Sequence, residues 1–280
     1  MKAYVTLLSN DKYYDGVLVL HRTLLELGSQ YPLYCLLSES VDDKLENRLK
    51  MNNIPCIRLN HKTVNERANS EGQFFSHWNY TFDKLQIWGL TQFNKIVFLD
   101  SDMLILRNLD SLFECDSFSA VCAGASYPGH ESWNALNSGL MVITPDKSIE
   151  ANLIKLCQTV VQEFRQKNLS VGDQDVIHRY DPSWGDKPYL HLDEGYNLFA
   201  EYLAYYIRHL GYSMDSGISQ KPIYVVHFIG KFKPWMKPTL RNKIWLLRTW
   251  IRNPYYYKAY RKFRSYLSKN ETHLLHSSHQ

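Results

Sequence analysis

The apolar run Ile96-Val97-Phe98-Leu99, entered from Lys95, passes without any turn signal into Asp100-Ser101-Asp102. An unbroken short stretch of β-branched and large apolar residues suits a strand buried on both faces, the usual condition of a strand inside a parallel sheet. Side chains at the carboxyl ends of such strands border the crevice where open α/β sheets take their ligands. The run therefore points to an α/β fold carrying two carboxylates, one residue apart, on the rim of its sheet.

The surrounding pattern agrees. Residues 3–8 read as a strand ending in Ser9-Asn10-Asp11, which is turn and cap chemistry, and Val17, Leu18, Leu20, His21, Leu24 and Leu25 follow at helical spacing. Residues 33–37 form a second expected strand, 42–51 a charged amphipathic helix capped around Val41-Asp42-Asp43, and 56–59 a third strand. A helix is expected over about 81–90, a strand over 140–143, a long amphipathic helix over 149–167, and a last strand over 223–227. Strands alternating with helices imply βαβ units and a parallel sheet. After Pro238, apolar residues at Leu240, Ile244, Leu247, Trp250 and Ile251, then a break at Asn253-Pro254, predict two short helices outside that sheet. The expected organisation is one domain over 1–236 and a basic aromatic helical tail over 237–280; the conformation of the loop 60–80 does not follow from the pattern.

Bulk properties narrow the partners. With 280 residues and 45% hydrophobic content the chain can bury one sizeable core. No run has the length of a secretory or membrane-spanning segment, so the expected location is cytoplasmic. Five scattered cysteines without a CxxC pair read as reduced thiols. Thirteen lysines and arginines and no acidic residue lie between Ser216 and Asn270, whereas the rest of the chain is net acidic. Tail aromatics such as Trp245, Trp250, Tyr255 and Tyr260, interleaved with these cations, fit two readings. One is a helix lying on the cytoplasmic face of an anionic membrane; the other packs one face on the domain and solvates the basic face. Nucleic acid ranks lower, since no recognised binding motif accompanies the charge.

Four groups of residues can carry chemistry. Asp100 and Asp102 can offer oxygen ligands to a hard divalent cation that also bridges diphosphate oxygens. In Val225-Val226-His227-Phe228-Ile229-Gly230-Lys231-Phe232-Lys233-Pro234-Trp235, the histidine leaving a buried strand can give a nitrogen ligand, although core histidines look the same. Gly230 permits close backbone approach to a phosphate, and Lys233 supplies a point charge. Asn137-Ser138-Gly139 and Gly172-Asp173-Gln174-Asp175 have the amides and carboxylates needed to hold sugar hydroxyls, while a turn and a helix N-cap are the plainer readings of the same residues.

Taken in order with Leu7-Leu8-Ser9-Asn10-Asp11-Lys12-Tyr13 and Lys84-Leu85, these motifs make residues 1–236 resemble glycosyltransferase family 8. The resemblance implies a GT-A fold with a mostly parallel mixed sheet, a UDP-sugar donor, Mn²⁺ with Mg²⁺ as alternative, and transfer of a hexose or related sugar with retention of configuration. Carried over by position, Asp100, Asp102 and His227 would bind the metal, with Ser101 between them where alanine is commoner. Leu7, Ser9, Asn10 and Tyr13 would form the uracil and ribose pocket, and Lys84 would contact the donor. Gly230 and Lys233 would grip the diphosphate, while Asn137, in the Asn137-Ser138-Gly139 motif, and Asp173 would hold the transferred sugar. Gln174 would lie below the anomeric carbon, with Asp175 its neighbouring carboxylate. An amide at that place favours same-face attack by the acceptor hydroxyl, with leaving phosphate as base, over a covalent intermediate. The acceptor, whether carbohydrate, lipid-linked or protein, and a homodimeric state stay open. Two other functions remain in view: a nucleotidyl or phosphoryl transferase using the same carboxylates, which would want a glycine-rich phosphate loop that Ser9-Asn10-Asp11 does not provide, and an inactive sugar-nucleotide-binding protein.

Overall fold

The computed structural model describes residues 1–59, 81–215 and 221–268, so the loop at 60–80 and the end of the tail lie outside the described residues. The first half winds as anticipated: β1 (Lys2–Leu8), α1 (Tyr14–Glu26), β2 (Leu33–Leu37), α2 (Asp43–Met51) and β3 (Cys56–Arg58). The Asp42 carboxylate accepts the Leu45 backbone N–H at 2.7 Å, satisfying one of the free donors at the start of α2.

Residues 81–89 depart from the expected α-helix. Thr81–Gly89 is a 3-10 helix. Phe82, Leu85 and Trp88, three residues apart, all join one buried cluster, and the three-residue turn of this tighter helix sets such residues above one another. The core thus dictates the winding.

Next come β4 (Lys95–Leu99), β5 (Met103–Ile105), β6 (Ala120–Val121) and β7 (Asn137–Ile143). The long helix α3 (Lys147–Gln166) and the short α4 (Asp173–Tyr180) follow. The main sheet has the order β3-β2-β1-β4-β7-β6. Its β3, β2, β1 and β4 are parallel, but β7 runs antiparallel to β4 and to β6, so the sheet is mixed. Along β4, Ile96 and Phe98 face one core cluster with Trp88 and α3 residues, whereas Val97 and Leu99 face another with Leu20 and Leu24 of α1. This two-residue alternation is what a doubly covered strand requires.

The remaining elements are β8 (Leu198–Phe199), α5 (Leu203–His209), β9 (Tyr212–Ser213), β10 (Lys221–Pro222) and β11 (Val225–His227), then α6 (Leu240–Arg252) and α7 (Pro254–Ser268). Strand β11 pairs antiparallel with β5 and parallel with β8 in a second, three-stranded sheet.

The two tail helices behave differently. From α7, Tyr256, Ala259, Tyr260, Phe263 and Tyr266 are buried in one cluster with Val19, Leu203, Tyr206 and Phe228. The Tyr266 hydroxyl donates to Glu26 Oε1 at 2.7 Å, and Arg22 donates to the Tyr266 carbonyl. From α6, Leu246 is the buried residue. We expect Phe263→Ala to destabilise the fold by about 3–5 kcal/mol through the cavity it opens. Leu247→Ala should stay within about 0.5 kcal/mol of wild type. The midpoints of urea unfolding of the two variants check this, and equal midpoints would contradict it.

Candidate active site

The pairing of β4 with β7 builds half of the site. Leu99 stands opposite Leu140, and one residue further on the Asp100 N–H donates to the Gly139 carbonyl at 2.8 Å. The motif Asn137-Ser138-Gly139 is thus the first part of a strand laid against the acidic bend. Pairing of β5 with β11 builds the other half: His227 stands opposite Met103, and the Phe228 N–H donates to the Asp102 carbonyl at 3.0 Å. The acidic bend Asp100-Ser101-Asp102 and the distant His227 are brought together by these two antiparallel registers.

Asp100, Asp102 and His227 each present a ligand atom, and these atoms lie within 4.8 Å of one another. The Nε2 of His227 is 3.1 Å from Asp102 Oδ1 and 4.0 Å from Asp100 Oδ2. Two glycines make room for this. A Cβ on Gly139 would fall 2.7 Å from His227 Cε1 and 3.1 Å from Asp100 Oδ2. A Cβ on Gly16, in the first turn of α1, would fall 2.2 Å from the Ser101 carbonyl oxygen, so this glycine lets α1 press against the bend.

Two buried lysines balance the acids. Lys84 Nζ lies 3.0 Å from both Asp100 Oδ1 and Asp173 Oδ2, and 4.9 Å from the centre of the Phe98 ring. Burial disfavours its charge, but Asp100 and Asp173 outweigh that and hold the ammonium above the usual lysine value. Lys233 donates to Asp102 Oδ2 and to the Phe228 carbonyl, both at 2.7 Å. Burial alone would raise the Asp102 carboxyl; His227 and Lys233 prevail and hold it well below the usual carboxylate range. At Asp100 burial prevails and pushes the carboxyl up against the pull of Lys84, with Asp102 adding to the rise.

A chain of amides orients the histidine. The Gly139 N–H donates to Asn137 Oδ1 at 3.0 Å, and the Ser138 N–H donates to Gln174 Oε1 at 3.1 Å. A backbone N–H can only donate, so these bonds fix which end of each amide is oxygen. Asn137 Nδ2 then donates to Gln174 Oε1 at 3.1 Å, and Asn197 Nδ2 to Asn137 Oδ1 at 2.8 Å. The oxygen of Asn197 is left facing His227 Nδ1 at 2.9 Å. Nδ1 therefore carries hydrogen, and Nε2 is the nitrogen turned to the carboxylates. A proton or a divalent cation at Nε2 satisfies the same contact.

The cleft in front of these groups encloses about 560 Å³. Leu7, Ser9, Asn10 and Tyr13 line it from β1 and the turn after it; Lys84, Asp100, Ser101, Asp102, Asn137, Ser138, Gly139, Asp173, Gln174, Asp175 and His227 also line it, and Ser170, Val171, Gly172 and Ile229, which sequence reasoning does not single out as site residues, complete the wall. Gly230 instead borders a neighbouring cavity of about 280 Å³ against α6, and Lys233 reaches Asp102 as a buried side chain. Asp175 Oδ2 accepts the Gly172 N–H at 2.8 Å, which is the reciprocal half of a helix cap. The loop after β11 closes on the turn after β1, with Trp235 Nε1 donating to the Lys12 carbonyl at 2.6 Å and its ring 5.6 Å from that of Tyr13.

Asn197 and Gly16 carry no motif of their own, and sequence reasoning passes over both. Asn197 precedes a two-residue strand too short to show a period, and Gly16 looks like a weak point in a helix. The signal that could find Asn197 is a fully buried amide at a strand end, which only the fold reveals.

Known proteins carry the same plan. The family model for glycosyl transferase family 8 matches residues 4–239. Glycogenin-1 of Caenorhabditis elegans is 32% identical over 239 residues, covering 84% of this chain and 51% of that protein. Glycogenin-1 of Homo sapiens is 31% identical over 236 residues, covering 84% of this chain and 62% of that protein. The chain thus matches only about half to three-fifths of the length of these curated relatives. Among solved structures, galactosyltransferase LgtC in complex with donor and acceptor sugar analogs superposes with a TM-score of 0.65 at 15% identity, covering 96% of both chains. The shared fold is the GT-A glycosyltransferase fold.

The amide chain makes a prediction that needs no turnover. Asn197→Ala should weaken Mn²⁺ binding by about 10–100-fold, the usual cost of removing the partner that orients a ligating histidine. Titration calorimetry measures this, and wild-type affinity in the variant would refute the orienting role.

Proposed function

Because the chain belongs to glycosyl transferase family 8, we propose that it moves a hexose or related sugar from a UDP-sugar to an acceptor hydroxyl, with retention of anomeric configuration, using a divalent cation held by Asp100, Asp102 and His227. The observation that carries this reading is the convergence of two carboxylates and one imidazole nitrogen at the floor of a cleft of about 560 Å³. The donor set fits Mn²⁺ or Mg²⁺: two oxygens and a borderline nitrogen, the imidazole already turned by Asn197, and no Cβ at Gly139 to fill the space. When bound, such a cation supplies Lewis-acid charge against the diphosphate that departs as UDP.

The protein's own groups divide the remaining work. Three carboxylates, Asp100, Asp102 and Asp173, face two ammonium groups, Lys84 and Lys233, and Asp175 adds a fourth carboxylate to the wall, so acids outnumber ammonium groups. Lys233, which donates to Asp102 Oδ2 from a buried position, would exchange that partner for a diphosphate oxygen. Such a fixed donor, aimed where negative charge accumulates on the leaving group, contributes by electrostatic stabilisation. Leu7, Ser9, Asn10 and Tyr13 form the end of the cleft suited to uracil and ribose. Asn137 and Asp173 line the same cleft, and sugar hydroxyls would be held by them.

Gln174 bears on the stereochemical course. Its Oε1 already accepts from Ser138 N–H and Asn137 Nδ2, which leaves the amide oxygen little capacity to attack carbon. Asp173 is bound to Lys84, and Asp175 to the Gly172 N–H. No carboxylate near Gln174 is free of a partner among the described contacts, which supports attack by the acceptor hydroxyl on the face the leaving group departs from. The acceptor hydroxyl belongs to a carbohydrate, lipid-linked or protein substrate.

The test is incubation with a panel of UDP-sugars and Mn²⁺, scoring UDP release and the anomeric configuration of the product. At least one donor should be turned over in a metal-dependent reaction. Asp102→Ala should slow it by about 10³-fold or more, consistent with several kcal/mol of charge stabilisation. Its circular dichroism should stay native, because the backbone carbonyl that pairs with the Phe228 N–H is kept. Full metal-dependent turnover by the variant, or no binding of any UDP-sugar by wild type, would overturn the proposal.

A further inference from the structure

The two tail helices share one composition, yet only α7 is absorbed into the core. Helix α6 lies with Leu246 against the domain, and Trp245 packs its ring 5.3 Å from that of Tyr256. Asn253, at the corner into α7, pins the pair by donating to the carbonyls of Ala200 at 3.2 Å and Glu201 at 3.1 Å. This fixes which side of α6 looks outward.

The outward side is apolar. Leu240, Ile244, Leu247 and Ile251 are 75%, 47%, 56% and 70% exposed. Their spacing of four, three and four residues places them along one stripe of a helix. A soluble surface helix turns such a stripe to its core; here it faces away. At 100° per residue, Arg241, Arg248 and Arg252 flank one edge of the stripe, and Lys243 and the half-exposed Trp250 flank the other. No acidic residue lies on α6, nor anywhere between Ser216 and Asn270.

We propose that α6 docks the protein on an anionic lipid surface, inserting Leu240, Ile244, Leu247 and Ile251 at the acyl boundary while the flanking cations meet lipid phosphates. An apolar stripe bordered on both edges by cations, with a tryptophan at the border, matches the layering of a membrane interface. A second copy of the chain fits poorly: pairing two such stripes would bring the cations of both helices together with no carboxylate between them. No helix among the described residues is long and apolar enough to cross a membrane, so the contact is one that lies on the surface. The first turn of α6 also walls the smaller cavity together with Gly230, so lipid bound at α6 sits beside the rim of the cleft. Lipid docking through α6 requires no donor in the cleft.

The experiment is co-sedimentation of the full chain with vesicles of phosphatidylcholine alone or containing about 30% phosphatidylglycerol, alongside sedimentation velocity without lipid. The protein should bind the anionic vesicles, bind neutral ones far less, and lose binding as salt is raised. Substituting Arg241, Arg248 and Arg252 together by Gln should lower partitioning about 100-fold, at roughly fivefold per cation. Ile244→Asp with Leu247→Asp should abolish binding while donor hydrolysis and thermal unfolding stay at wild-type values. Equal binding to neutral vesicles, no binding to either, or a dimer dissociated by the Asp pair in place of lipid binding would each overturn the proposal.

Discussion

Three carboxylates crowded at one end of two sheets repel one another, and the fold around the cleft is arranged to make that tolerable. Unpaired charges removed from water cost several kcal/mol each. Lys84 is buried between Asp100 and Asp173, and Lys233 reaches Asp102 from the opposite side. The imidazole of His227 stands between the first pair of acids. A site held together in this way suits a cation: its carboxylates outnumber its ammonium groups, and the contact that would carry the ion is lined by oxygen and nitrogen.

Holding those groups in place is the task of two antiparallel pairings, one in the main sheet and one in the smaller three-stranded sheet. Strand β7 against β4 delivers Gly139 to Asp100, and β11 against β5 delivers His227 to Asp102. The 3-10 helix 81–89 then lowers Lys84 over Phe98 toward the same point. The paired strands are buried in the core, so the geometry at the rim is inherited from packing beneath it. Gly16 extends the logic to α1, whose approach to the Ser101 carbonyl no larger residue would permit.

Much of this could be read from residues alone, and the boundary of legibility has a physical basis. The strands of the first half have clear periods and their ends fall where turn residues stand. Asp100-Ser101-Asp102 is conspicuous because an apolar run leads into it. The span 81–89 reads as α in the sequence yet winds as a 3-10 helix, because Phe82, Leu85 and Trp88 satisfy either helical period over so short a span. Strands of two or three residues, such as β5, β8 and β11, have too little sequence to display alternation, and with them went the partner of His227, Asn197. The tail shows another limit. Its aromatic and basic content is nearly uniform, yet α7 is buried through Tyr256, Tyr260, Phe263 and Tyr266 while α6 turns its aliphatic stripe outward. Composition could pose those two alternatives but could not divide them between neighbouring helices.

The whole account turns on one cation being shared by three side chains from opposite sides of the cleft. Anomalous diffraction from crystals grown with Mn²⁺ and UDP measures that directly. A single peak within bonding distance of a carboxylate oxygen of Asp100, a carboxylate oxygen of Asp102 and Nε2 of His227 is the expected result. A peak elsewhere in the cleft, with His227 still directed at Asp102 and no density between them at saturating metal, would contradict it.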